Sequence, residues 1–111
     1  KGGDQRVPSA LALFNKSCLQ NDKEACNVVG ELKTKQNPFG IEKNFAEGLR
    51  YLQKACDLGQ GRACHHVSGL YLMGDEEFKI AKDMSKAFDY AVKACDNYMM
   101  PSCVNVSIMY E

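Results

Sequence analysis

Three cysteine pairs, each with its members eight residues apart, constrain this chain more than any other feature. Cys18 and Cys26, Cys56 and Cys64, and Cys95 and Cys103 account for all six cysteines. The pairs recur at a near-constant interval, since Cys56 follows Cys18 by 38 residues and Cys95 follows Cys56 by 39. Cys26, Cys64 and Cys103 keep the same two intervals. Self-similarity at such a period marks a solenoid of stacked supersecondary units.

The apolar residues follow the cysteines. Val7, Phe45 and Met84 correspond across the repeats, as do Leu11, Leu49 and Phe88, and Phe14, Leu52 and Ala91. Each set runs i, i+4, i+7 and meets a cysteine at i+11, which is one stripe of an amphipathic helix. A second stripe follows each pair, with Val29, Val67 and Val106 and then Leu32, Leu70 and Met109. Every unit is therefore two helices joined by a short turn. The expected fold is an all-α, α/α solenoid of helix-turn-helix repeats in one domain over residues 1–111, with units of about 5–42, 43–81 and 82–111.

The same geometry selects a cysteine pairing. Cys18, Cys56 and Cys95 close their helices, and Cys26, Cys64 and Cys103 open the next ones. An antiparallel helix pair with a short turn brings such positions face to face. The expected disulfides are 18–26, 56–64 and 95–103, and the alternative is six buried free thiols. Regular bridging fits an oxidising compartment.

Local signals place the helix ends. The first helix is expected from Pro8 to Leu19 after a loop at Lys1–Gln5, with Pro8 in its first turn. Asp22 caps a helix over Lys23–Thr34. Asn44 caps the third, with Glu47 three residues on as a capping-box variant. Gly59 suits a left-handed cap after Leu58. Arg62–Met73 forms the fourth helix, stopped by Gly74. Asp83 caps Met84–Asn97, and the sixth helix starts near Met100-Pro101. Lys35–Lys43 and Asp75–Lys82 are long connectors, and Lys33-Thr34-Lys35 and Lys79–Lys86 are read as solvated. Ile108, Met109 and Tyr110 form an apolar last turn, whereas a solenoid needs a polar outer face on its final repeat. A piece of a longer array is expected.

Composition removes some functions. The 14 basic and 14 acidic residues cancel, so no net field draws the chain to nucleic acid or an anionic membrane. No apolar run approaches the roughly 18 residues of a membrane span. Cys64-His65-His66 resembles a ligand cluster, but neighbours on a helix point about 100° apart and do not converge on one metal. His65 and His66 are expected to be exposed or packed, with no metal or cofactor. No Cys-x-x-Cys pair signals a thioredoxin-like site. A wider thiol-exchange role would need a strained or exposed bridge. The sequons at Asn15 and Asn105 fall inside helices and are read as chance matches. Tyr51 matches Tyr90 and Tyr71 matches Tyr110. Packing between repeats is favoured for these tyrosines over a ligand-facing row.

Ala55-Cys56-Asp57-Leu58-Gly59 and Ala63-Cys64, with Lys82-Asp83 leading to Lys86-Ala87, resemble the Sel-1-like repeat, a tetratricopeptide-related helical solenoid. The cysteines narrow the likeness to its cysteine-rich branch, which includes secreted bacterial proteins described as beta-lactamase-like and the mitochondrial cytochrome c oxidase assembly factor 7 family. Lys82-Asp83-Met84, Lys93-Ala94-Cys95-Asp96 and Ser102–Tyr110 look closest to the mitochondrial group. That resemblance implies a protein of the intermembrane space, oxidised by the import machinery, that supports assembly of respiratory complex IV. A monomeric, non-enzymatic scaffold holding a protein partner on its concave helical surface is expected, and the alternative is a secreted cysteine-rich repeat protein or a thiol-disulfide or hydrolytic, beta-lactamase-like enzyme. Two departures stand out: Tyr98-Met99-Met100 replaces the Gly59 turn, and Leu19-Gln20 stands where Asp57-Leu58 would fit. A beta-lactamase would need Ser-x-x-Lys, and none of Ser9, Ser17, Ser68, Ser85, Ser102 or Ser107 has Lys three residues later.

Overall fold

The computed structural model describes residues 2–34 and 42–110. Its six helices are α1 (Gly2–Leu19), α2 (Lys23–Thr34), α3 (Phe45–Asp57), α4 (Gly61–Met73), α5 (Met84–Asp96) and α6 (Met100–Tyr110). Among the described residues the only β pairing is one bridge, Asp75 with Ile80. The helices stack in chain order, each against the next, into an elongated body of 54 × 28 × 19 Å. This is an all-α solenoid.

The caps form as their residue types dictate. Asp22 Oδ1 accepts from the amides of Glu24 and Ala25 at 3.1 and 3.2 Å. Asn44 Oδ1 accepts from Glu47 N at 3.1 Å and Asp83 Oδ1 from Lys86 N at 3.0 Å. The returning arm of the capping box is absent. Glu47 instead pairs with Lys33 of α2 at 3.0 Å, and the Asn44 amide donates to the Lys33 carbonyl at 2.8 Å. One repeat on, the Asp83 amide donates to Tyr71 O at 2.9 Å. Each cap residue thus holds its own helix and ties it to the preceding one.

The three short turns share one design. Gly59 N donates to Cys56 O and Gln60 N to Ala55 O, both at 2.9 Å. Tyr98 and Met99 make the same two bonds to Cys95 and Ala94, and Asn21 and Asp22 make them to Cys18 and Ser17. This paired-bond cap needs a left-handed residue, and φ is +99° at Gly59, +67° at Asn21 and +68° at Tyr98. The Tyr98 departure therefore changes the residue and not the turn.

Across each turn the bridges close as 18–26, 56–64 and 95–103, with Cα separations of 4.7, 4.6 and 4.7 Å. The first two are buried, while Cys95 and Cys103 are half-buried. The helices that lack a bridge, α2 with α3 and α4 with α5, pack more extensively than the bridged pairs. Small residues permit this. A Cβ on Gly48 would collide with the Thr34 methyl and stand 3.2 Å from Gly30 O. Leu52, fully buried, lies over Gly30. In the next unit Ser68 replaces Gly30 and its Oγ donates to Ala87 O at 2.7 Å.

Several expectations need correction. Helix α1 begins at Gly2, not Pro8, so the proline lies in its second turn, where it removes one backbone amide without ending the helix. Lys33 and Thr34 belong to α2, with Lys33 ion-paired and Thr34 buried, and so are not a solvated connector; Lys35 lies outside the described residues. The 75–82 connector is mostly exposed, as expected for Lys79–Lys86, but it is anchored at Asp75, Phe78 and Ile80. Asp75 and Ile80 exchange 2.8 Å bonds, and the Phe78 ring meets Phe45 edge-on at 4.8 Å. Met84, placed on the inward stripe, is 56% exposed. Its counterpart Phe45 is held in by Phe78. Lys86 is exposed, as expected, and its Nζ lies 5.2 Å from the centre of the Tyr71 ring.

Two outcomes follow from the turns. Gly59→Val should destabilise by about 1 kcal/mol or more, because a β-branched residue resists positive φ, whereas Tyr98→Gly should stabilise by about 1 kcal/mol. Thermal melts of the two variants check both signs. The double variant Cys56→Ser, Cys64→Ser should lose about 2–3 kcal/mol, the chain-entropy value for so small a loop, measured by denaturant titration against the parent.

Candidate functional site

Alternate helices also touch, which gives the solenoid two faces. On the even-numbered face Arg62 of α4 reaches Glu31 of α2 at 3.6 Å, and His65 of α4 bonds to Ser102 of α6. On the odd-numbered face Lys93 of α5 lies 3.5 Å from Asp57 at the end of α3, and Gln53 Nε2 donates to the Tyr90 hydroxyl at 3.4 Å. Each face carries a shallow groove between successive units.

The even-numbered groove encloses about 360 Å³ beside Glu31, Arg62, His65, His66, Leu70 and Met99. Both histidines line this groove. His65 Nδ1 and Ser102 Oγ share a hydrogen bond of 2.5 Å, while His66 lines the groove one helix position on. Among the described residues no group of three His, Cys, Asp or Glu could hold a metal ion. Sequence reasoning missed the Ser102–His65 contact, although the repeat register signals it. Ser102 stands where the other units have Ala25 and Ala63, so a hydroxyl enters a core position and needs a partner. Ser102 is fully buried, which makes this serine–histidine pair a packing contact and not an accessible nucleophile. Asn27 occupies the place of His65 one unit earlier. It faces Ala63 by register, and its buried Oδ1 has no hydrogen-bond partner.

The tyrosines pack. Tyr71 and Tyr90 stack across α4 and α5 with ring centres 5.8 Å apart, and Lys86 and Lys93 each lie 5.2 Å from a ring centre. Tyr51, Tyr71 and Tyr90 all rest against the buried core. The Tyr110 side chain lies outside the described residues. Asn15 sits half-buried inside α1, and Asn105 lies within α6, its side chain also outside them.

The odd-numbered groove encloses about 320 Å³ and is lined by Leu19 and Cys18 at the end of α1 and by Glu47, Arg50, Tyr51 and Lys54 of α3. Its counterpart one unit on is the place where Asp57, Tyr90 and Lys93 meet.

The profile of the Sel1 repeat matches residues 23–60 and 61–98. The chain belongs to the Sel1 repeat family. The matched units start at α2 and α4, so each pairs the closely packed helices, α2 with α3 and α4 with α5, and the 56–64 bridge joins one unit to the next. A Sel1 repeat protein from Oxalobacter formigenes has a similar structure, with a TM-score of 0.74 and 22% identity over 92% of this chain. The match covers 40% of that protein, and the likeness establishes the fold. No curated protein matches the sequence. No described helix is long and apolar enough to cross a membrane.

Ser102→Ala should cost about 1–2 kcal/mol by leaving His65 without its partner. Denaturant titration of the variant measures the loss, and a fully neutral result would mean that the bond contributes nothing net.

Proposed function

We propose that this protein is a non-enzymatic, protein-binding scaffold of the mitochondrial intermembrane space that supports assembly of respiratory complex IV. Sel1 repeats generally serve as protein-interaction scaffolds. The observation that carries the finer reading is the set of three bridged turns. Such regular bridging suits an oxidising compartment, and the segments 82–84, 93–96 and 102–110 resemble the mitochondrial cysteine-rich group. A stacked array of helices with two grooved faces offers extended contact surface without needing a reaction centre.

A thiol-exchange reading draws on one observation, the half-buried Cys95–Cys103 bridge beside two buried ones. Exchange needs a sulfur that a thiolate can reach.

Affinity capture from mitochondria, with depletion and rescue by the tagged protein, separates the readings. The scaffold reading expects complex IV subunits or their assembly partners to be retained, and depletion to lower complex IV activity ahead of the other complexes. A normal complex IV after depletion would refute the mitochondrial reading. Rescue by a Cys95→Ser, Cys103→Ser variant that still folds would rule out exchange at that bridge.

A further inference from the structure

The repeat register allows two equivalent slots on the odd-numbered face to be compared within one molecule. In the later slot Lys93 of α5 lies 5.2 Å from the Tyr90 ring centre and 3.5 Å from the carboxylate of Asp57, which ends α3. In the earlier slot Lys54 corresponds to Lys93, Tyr51 to Tyr90, and Leu19 to Asp57. The carboxylate is therefore missing, and an exposed leucine takes its place. Arg50 also replaces Asp89, so this slot gains a second cation where its counterpart has an anion. Glu47 lines the slot, but Lys33 engages its carboxylate at 3.0 Å. Among the described residues neither Arg50 nor Lys54 has an ion pair.

We propose that the slot between the end of α1 and α3 docks an acidic peptide segment of a protein partner. A carboxylate enters between Arg50 and Lys54, as Asp57 sits beside Lys93, and a neighbouring apolar side chain rests on Leu19 and the Tyr51 ring. The volume of about 320 Å³ suits one or two side chains. The inference rests on the scaffold reading and names the chemistry of what the scaffold holds. Two features favour this occupant. The counterpart slot already holds a carboxylate from the chain itself 3.5 Å from the corresponding lysine, so the register places an anion beside this cation position. Lys54 is half-buried beside Tyr51 and Leu19, where an ion pair is less screened than in open water.

The internal comparison supplies the test. Leu19→Asp rebuilds the counterpart slot, giving Lys54 a carboxylate from the same chain. Leu19 is 75% exposed, so the fold should tolerate the change, and an unchanged melting curve verifies that. The probe is a fluorescein-labelled heptapeptide with two central aspartates beside a leucine, and its control has asparagines at those two positions. Fluorescence anisotropy should show saturable binding of the aspartate peptide, weakened at least tenfold by Leu19→Asp and also by Arg50→Glu or Lys54→Glu. The asparagine control should not bind, and added salt should weaken the complex. Absence of saturable binding overturns the proposal, as does equal affinity of the parent and the Leu19→Asp and Arg50→Glu variants. In the second case peptides bind elsewhere on the scaffold. The scaffold reading itself stands or falls on the mitochondrial capture.

Discussion

The sulfur bridge across each short turn is the constraint on which the array depends. It joins the last turn of one helix to the first turn of the next, with Cα atoms 4.6–4.7 Å apart. The bridged helices are also the pairs that pack less extensively. Covalent closure and close packing therefore alternate along the chain. Where a long connector would leave two helices free to separate, Gly48 and Gly30 or Ser68 and Ala87 let the backbones approach. Where packing is thinner, a bridge limits the separation. A chain of this size whose buried core is mostly alanine and cysteine gains more from such staples than a domain with a core of large side chains would.

The turn geometry is conserved within the molecule while its residues are not. Gly59, Asn21 and Tyr98 occupy one left-handed position and make one pair of backbone bonds. Similar exchanges run through the packed pairs. Lys33 with Glu47 is an ion pair, and the corresponding Tyr71 with Lys86 is a cation over a ring. Leu52 over Gly30 gives way in the next unit to Ala91 and Ser68, whose hydroxyl bonds to Ala87 O. Contacts of different chemistry stand at the same register positions, so the units keep one arrangement of helices without sharing most of their residues.

Much of this fold is legible in the sequence because the deciding interactions are local. Asp22, Asn44 and Asp83 cap helices through amides two or three residues away, and the eight-residue cysteine spacing nearly determines its own pairing. The start of α1 was not legible, since Gly2, Gly3 and Pro8 argue locally against a helix. Nor was the role of Phe78, whose partner Phe45 lies 33 residues upstream. Glu47 carries the capping-box signal but finds a stronger partner in Lys33. The candidate slot was hardest of all. Leu19 becomes informative only when α1 is laid against α3, because its meaning comes from the aspartate it replaces one unit away.

A stacked array tolerates such replacements for a physical reason. Each helix meets chiefly its neighbours, so stability is close to a sum of local terms. Backbone bonds at the turns and the bridges set the spacing between units, and neither involves the side chains that line the faces. Exchanging Asp57 for Leu19 in the earlier slot gives up an exposed ion pair, which is worth at most about 1 kcal/mol. The frame can bear that loss without moving. The odd-numbered face can therefore carry a self-neutralised slot beside an open, cationic one, and their difference in binding chemistry comes at little cost to the fold.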